Sequence, residues 1–375
     1  MDYHCLAKFL DFGGKIMKNK NYPLYSITSI TTLKQLIYDV PTIDENVAFV
    51  YTKGKKDTVK VTYGQFRNDI EALGTYLYCC GIKNTHIGVI GENSYEWILT
   101  YFSTVLGGNV IVPIDKELSV TEVENVMISS DSTVLVYSDT YQDVAEEILM
   151  SKSNIVCINM KDIPSLIAIG QKEREEGNVE FVNYKVKEKD LAAIVYTSGT
   201  TGISKGVMLT HENISTNAVA ACKNVQAFGI TVCVLPLHHT FSFTLGICAT
   251  LLYRASIYIN RSLKNITSDM QRAMPTFMFL VPMIVEAMYK KIWATAEEQG
   301  KDKMLKVLIK LSNFLLSVGI DIRRKLFHSV LSAFGGNLDW VSCGGAAIDK
   351  KYIQGFRDFG INVINGYGIT ECSPI

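Results

Sequence analysis

From about residue 60 the chain alternates between apolar residues at helical spacing and short, continuous apolar runs. Phe66, Ile70, Leu73 and Leu77 recur every three or four residues ahead of the run His86-Ile-Gly-Val-Ile. Trp97, Tyr101 and Val105 do the same ahead of Val110-Ile-Val. This alternation predicts βαβ units, because two parallel strands need a crossover long enough to hold a helix. Further strands are predicted at Thr133–Tyr137 and Ile155–Ile158. The charge clusters Gln171–Gly177 and Lys185–Asp190 predict solvated loops. The pattern resumes with strands at Ile194–Tyr196 and Val207–Leu209, a helix at Ile214–Phe228 and a strand at Val232–Leu237. Pro275 and Pro282 bracket a buried strand at Thr276–Val281, and a long helical region runs to about Leu331. Then come a strand at Leu338–Cys343, a helix ended by Gly360 and a strand at Ile361–Ile364. The expected fold class is α/β, with two packed lobes of largely parallel sheets flanked by helices. Residues 1–24 form an N-terminal segment, 25–212 a first lobe and 213–375 a second.

Composition narrows the partners rather than the fold. At 375 residues and 48% hydrophobic, the chain can bury more than one lobe. Its 37 basic and 37 acidic residues cancel, so no long-range field draws in nucleic acid or an acidic membrane, although local lysine patches keep peripheral membrane contact open. None of the nine cysteines forms a CxxC pair, and the first twenty residues hold no uninterrupted apolar segment. Both point to a reduced, cytoplasmic setting. No charged residue lies between Lys223 and Arg254, yet Gly229, Pro236, His238, His239 and Gly246 break that stretch. The pieces are shorter than the roughly 20 apolar residues of a spanning helix, so buried strands and a core helix are expected instead of a transmembrane segment.

Chemistry is concentrated in Tyr196-Thr-Ser-Gly-Thr-Thr-Gly-Ile-Ser-Lys-Gly-Val, between two predicted strands. Gly199, Gly202 and Gly206 let backbone N–H groups converge on an anion, Thr197, Ser198, Thr200 and Thr201 add hydroxyl donors, and Lys205 adds a point charge. A plain hairpin of this composition would need no ligand. The Walker spacing fails, with Ser204 and Gly206 in the wrong places, and the GxSxG elbow of hydrolases is absent.

These residues resemble the AMP-forming acyl-CoA synthetase family, whose phosphate loop reads TSGTTGxPKG; Ser204 stands in place of its proline. Three more segments follow in the family's order. Leu235-Pro-Leu-His-His-Thr-Phe resembles the segment whose second histidine, His239, sits beside the substrate carboxylate. Gly344-Gly-Ala-Ala resembles the GGAP turn, and Asn365-Gly-Tyr-Gly-Ile-Thr-Glu resembles the NGYGxTE loop.

The resemblance implies an ATP site made of Thr197, Ser198, Gly199, Thr200, Thr201, Gly202, Lys205, Gly345, Ala346, Asn365, Gly366, Tyr367, Gly368 and Thr370. It implies an acyl pocket at His239, Gly344, Gly345 and Gly368, with Lys205, His239, Thr370 and Glu371 as catalytic groups. On chemistry alone Tyr367 could stack on adenine, and Glu371 is a hard oxygen ligand suited to Mg²⁺. The implied reaction joins a carboxylate to ATP as acyl-adenylate and then to coenzyme A. The helix-rich insert from Glu286 to Gly335 resembles that of long-chain fatty acyl members and points to a medium-to-long fatty acid. Adenylation of an aryl or amino acid, transfer to a carrier protein, and nucleotide binding without catalysis are the competing readings. By the same resemblance the chain stops at Ile375 before the family's small C-terminal domain, so the expectation is a truncated form, inactive by itself in the full reaction.

Overall fold

The computed structural model describes residues 26–54, 57–151, 154–197, 204–260 and 262–374. Among the described residues thirteen strands form two sheets. Sheet I contains β1 (Val47–Lys53), β2 (Asp57–Thr62), β9 (Ile230–Cys233), β10 (Ser256–Ile259), β11 (Phe277–Leu280), β12 (Trp340–Cys343) and β13 (Asn362–Asn365), in the spatial order β13-β12-β11-β9-β10-β1-β2. Sheet II contains β3 (His86–Ile90), β4 (Val110–Pro113), β5 (Ser132–Tyr137), β6 (Val156–Asn159), β7 (Leu191–Thr197) and β8 (Lys205–Thr210), in the order β6-β5-β3-β4-β7-β8. Each sheet is parallel except for one edge hairpin, β1–β2 in the first and β7–β8 in the second. The fold is therefore the expected α/β arrangement of two mostly parallel sheets flanked by helices.

Sheet membership does not follow chain order. The hairpin at 47–62 precedes every strand of sheet II, yet β1 pairs in parallel with β10, with Phe49 opposite Ile257. The cut read from the sequence between residues 212 and 213 falls just after β8, whereas this hairpin lies before that cut in the chain and in sheet I in space.

Local sequence explains where the helices start. Thr62, Ser94, Ser119 and Thr210 each accept a backbone N–H of the first turn, and Ser119 and Thr210 complete capping boxes with Glu122 and Asn213. Thr210 thus begins a helix at His211–Asn224, three residues earlier than Ile214, and it ends before the predicted Phe228 because Val225 is extended. The charge cluster at 171–177 is not the loop it resembles. It forms the last turns of the helix Ile163–Glu175, which stops at Gly177 with φ +100°. The charges there surround the end of that helix: Lys172 pairs with Glu176 at 3.7 Å, and on another side Arg174 pairs with Glu71 on the helix Tyr63–Cys79. The cluster Lys185–Asp190 has no helix or strand, as predicted.

The uncharged stretch 223–254 becomes β9, a π-helical segment Phe241–Ala249 and a last turn Thr250–Leu252. Ser242 to Leu252 are all buried. Among the described residues no helix is long and apolar enough to cross a membrane. The Phe243 ring stacks on Tyr101 at 3.6 Å between centroids and also meets Phe102 and Trp97, so the segment after β9 packs on the helix Tyr95–Val105 that follows β3. One apolar cluster consequently spans both sheets, from Phe49 and Phe66 through Phe102 and Phe243 to Phe277.

The tightest approach of two helices is where Ile163–Glu175 crosses Tyr63–Cys79 at Gly170. A methyl group there would lie 1.9 Å from the Ala72 carbonyl oxygen, which is backbone and cannot turn aside. Gly170→Ala should therefore destabilise the chain by at least about 1–3 kcal/mol, the usual range for overpacking, read from urea unfolding midpoints. Gly246→Ala, whose methyl would meet nothing closer than Ser242 Oγ at 3.9 Å, should leave the midpoint near wild type.

Candidate active site

The strands of sheet I between β13 and β10 run parallel, so their carboxyl ends and the loops that leave them emerge on one side. That edge is where open α/β sheets bind ligands. A cavity of about 760 Å³ lies there. It is lined by the residues that follow each strand: Val234 and Leu235 after β9, Asn260 after β10, Val281 after β11, Gly344 and Gly345 after β12, Gly366 after β13. Of the residues singled out from the sequence, His239, Gly344, Gly345, Gly366, Tyr367, Gly368 and Thr370 line this one cavity. Ala346, Asn365, Thr197, Lys205 and Glu371 are not among its walls.

Its apolar side is built by Phe241, which meets Phe279 edge-on at 6.2 Å between centroids, together with Val281 and Ile284. Gly344 closes this wall. Its N–H donates to the Leu280 carbonyl at 3.1 Å, continuing the β11–β12 ladder, and a Cβ added to it would lie 3.1 Å from the Phe241 ring. Gly345 turns the chain away with φ +85°, a conformation that L side chains rarely adopt.

His239 is held by a device that the sequence did not announce. Asn93, in the turn after β3 of sheet II, donates Nδ2–H to the Leu235 carbonyl at 2.8 Å and accepts the Leu237 N–H at 3.1 Å. This buried side chain clamps the segment around Pro236, and the His239 N–H then donates to the Pro236 carbonyl at 3.2 Å. The His238 and His239 rings lie 4.1 Å apart at 57°, and His238 Nε2 is 3.4 Å from Asp115 Oδ1. Burial pushes His238 down to about 4, and the neighbouring His239 and Lys116 charges add to the fall against the pull of Asp115. Burial lowers His239 too, again opposed by Asp115. Both imidazoles are thus neutral at pH 7, and His239 presents a hydrogen-bonding group to the cavity rather than a charge. The cations lining the cavity are Lys116 and Lys264, which the sequence reading passed over. Their one signal was position: each follows the end of a parallel strand, Lys116 after β4 and Lys264 after β10.

The second sheet approaches the same place. Thr197 and Lys205 are paired at the open end of the β7–β8 hairpin, and the residues between them that carry the predicted anion loop, Ser198, Gly199, Thr200, Thr201 and Gly202, lie outside the described residues. The 3-10 turn Thr370–Cys372 rests against β8, the strand that Lys205 begins. Asn217, on the helix that His211 begins, ties that turn down by donating to the Cys372 carbonyl at 3.1 Å. Thr370 faces the cavity, Glu371 is exposed beside it, and Tyr367 is 88% exposed at the rim, with its ring free to be covered by a flat ligand. Among the described residues no group of three His, Cys, Asp or Glu side chains could hold a metal, so Glu371 stands as a single carboxylate. Such a donor suits Mg²⁺ that arrives with phosphates, because that ion keeps several waters and takes only one or two protein carboxylates.

Residues 42–375 match the family model described as AMP-binding enzyme. Long-chain-fatty-acid–CoA ligase 1 of Cavia porcellus is 26% identical over 348 residues, covering 84% of this chain and 49% of that protein. Long-chain-fatty-acid–CoA ligase 5 of Rattus norvegicus is 25% identical over 395 residues, covering 96% and 57%. The chain therefore spans about half the length of these curated relatives. In fold it is similar to ATP-bound MatB from Rhodopseudomonas palustris, with a TM-score of 0.68 at 20% identity over 92% of this chain and 61% of the other. A family match over nearly the whole chain, on a fold whose glycine-rich turns meet at the carboxyl ends of parallel strands, shows that this chain belongs to the AMP-binding enzymes of the adenylate-forming superfamily.

Proposed function

We propose that the protein carrying this chain is an ATP-dependent acid–thiol ligase. It activates a medium-to-long-chain fatty acid as the acyl-adenylate and then forms the acyl-CoA thioester, releasing pyrophosphate and AMP. The observation that carries this reading is a polar loop lining one largely apolar cavity at the carboxyl ends of parallel strands. Gly366 to Thr370 line a pocket whose apolar wall is Phe241, Val281 and Ile284, and the turn Thr370–Cys372 rests against β8, the strand that Lys205 begins. At about 760 Å³ the pocket is within the usual range of roughly 300–1,000 Å³ for small-molecule sites. The names of the two long-chain ligases lend the fatty-acid assignment its direction.

In the first half-reaction a carboxylate oxygen attacks the α-phosphorus of ATP, the bond to the β-phosphate oxygen breaks, and pyrophosphate leaves. Little covalent chemistry falls to the protein, so positioning and charge neutralisation supply the acceleration. Lys205 and the neighbouring loop amides hold the departing pyrophosphate. Thr370 donates to the α-phosphate, and Tyr367 covers the adenine. The neutral His239 orients the carboxylate by a hydrogen bond without forming an ion pair that would blunt its nucleophilicity. Glu371 would hold Mg²⁺, which supplies charge neutralisation at the phosphates when bound. In the second half the coenzyme A thiol, as thiolate, attacks the acyl carbonyl and displaces AMP.

In the full-length protein, Lys205→Ala and Glu371→Ala should each slow fatty-acid-dependent ATP–pyrophosphate exchange by roughly 10²–10³, the cost typical of removing one group that stabilises transition-state charge. Wild-type exchange in both would remove these roles. Gly344→Leu should shift preference towards shorter acids, because its side chain enters the space held by Phe241. Each methylene in an apolar channel is worth about 0.8 kcal/mol, so relative kcat/KM across an acid series reads the change directly. An unchanged profile would place the acyl channel elsewhere.

A further inference from the structure

Among the described residues, the helix Asp302–Ser317 leaves one face without a protein partner. Leu305 and Ser312 are buried on the opposite face, where Leu308 and Ile309 pack with Ile292, Trp293 and Phe327. Outward stand Met304, Val307, Leu311, Phe314 and Val318, each 48–66% exposed. Their spacing of three, four, three and four residues puts them in a single stripe about 80° wide and about 21 Å long, at 100° and 1.5 Å per residue. A stripe this continuous is not the scattered exposure of single apolar residues normal for a surface.

The same segment concentrates charge in a chain that has none overall. Residues 301–325 hold seven Lys and Arg against two Asp, while the whole chain balances 37 against 37. Both aspartates are already used, Asp302 by Lys306 at 3.3 Å and Asp321 by Arg323 at 2.7 Å. On the helical projection Lys303 and Lys310 lie along one edge of the apolar stripe, and neither has an ion-pair partner among the described residues. We infer that this face docks on an anionic lipid surface, with the stripe in the acyl–headgroup boundary and the two lysines among the headgroups. A second copy of the chain fits less well, since it would bring a second row of lysines and no free acid on this helix to meet them. The placement also has a path to the cavity. The helix Pro282–Glu298 lines the cavity at Met283 and Ile284 and carries Asp302–Ser317 along its other end through Trp293.

The test is flotation of the full-length protein with vesicles of phosphatidylcholine and phosphatidylglycerol, and with phosphatidylcholine alone, in the absence of ATP and acid. This readout is independent of the ligase reading. Wild type should float with the mixed vesicles, far less with phosphatidylcholine, and less as salt is raised. Val307→Glu with Phe314→Glu should lose at least about tenfold in vesicle affinity, as a charged pair on the buried side of an interfacial helix does. Lys303→Glu with Lys310→Glu should abolish the preference for phosphatidylglycerol. All four positions are exposed, and a thermal melt confirms folding; if the glutamate pair melts early, Val307→Ser with Phe314→Ser replaces it. Equal flotation of wild type and the Val307/Phe314 variant would overturn the proposal, as would a wild type that ignores both vesicles. A lipid-independent dimer that the same variant dissociates would assign the face to self-association instead.

Discussion

Phe243 stacked on Tyr101 does more than fill a core, because the two rings belong to segments that leave different sheets. Tyr101 is on the helix after β3 and Phe243 is in the π-helical segment after β9. Aromatic packing of this kind has a defined geometry, so it sets the separation and tilt of the two sheets together. Everything chemical in the molecule depends on that placement. Most of the cavity walls come from sheet I, whereas Asn93 and Lys116 follow strands of sheet II, and only a fixed relation between the sheets brings them to one cavity. Asn93 repeats the connection in polar terms, with its amide bonded on both sides to the segment that carries His239. A buried amide satisfied by two backbone groups tolerates little displacement, since any shift leaves a desolvated donor or acceptor unpaired.

The electrostatic character of the site follows from the same packing. Removing two adjacent imidazoles from water disfavours their charged forms, and each imidazolium would repel the other, so His238 falls to about 4 and His239 is lowered as well. Asp115, 3.4 Å from His238, pulls the other way without reversing the outcome. The neutral His239 adds no charge to the cavity, and Lys116 and Lys264 are the cations in its lining.

The helix Asp302–Ser317 shows how one element can serve two environments. Its Leu305 and Ser312 face is buried against protein, while the stripe from Met304 to Val318 stays exposed. A helix with this much unused apolar surface is costly in water, and the uncompensated lysines along its edge are what a protein–protein core would exclude.

Much of the fold was legible in the order of residues. Strands at 86–90, 110–113 and 132–137, the buried run between Pro275 and Pro282, and the turn at Gly360 all follow from periodicity and local backbone preference, which act over a few residues and need no tertiary context. The glycine-rich turns were legible for the same reason, and six of the residues singled out from them line one cavity together with His239. The charge cluster at 171–177 was misread because a charged helix end and a charged loop have the same composition; only the partner helix at Tyr63–Cys79 distinguishes them. Asn93 was invisible, since an asparagine before a capping serine looks like turn chemistry until Leu235 and Leu237 are brought to it across more than 140 positions. The sequence by itself determined ten of the thirteen described strands, all but β1, β2 and β10, and that the chain is α/β. Tertiary structure alone decided that β1 and β2 join sheet I, that two sheets share one core, and that His239 lines one cavity with Gly344, Gly366 and Thr370. Those outcomes rest on contacts between residues far apart in the chain, whose entropy of closure is met only when the whole core assembles.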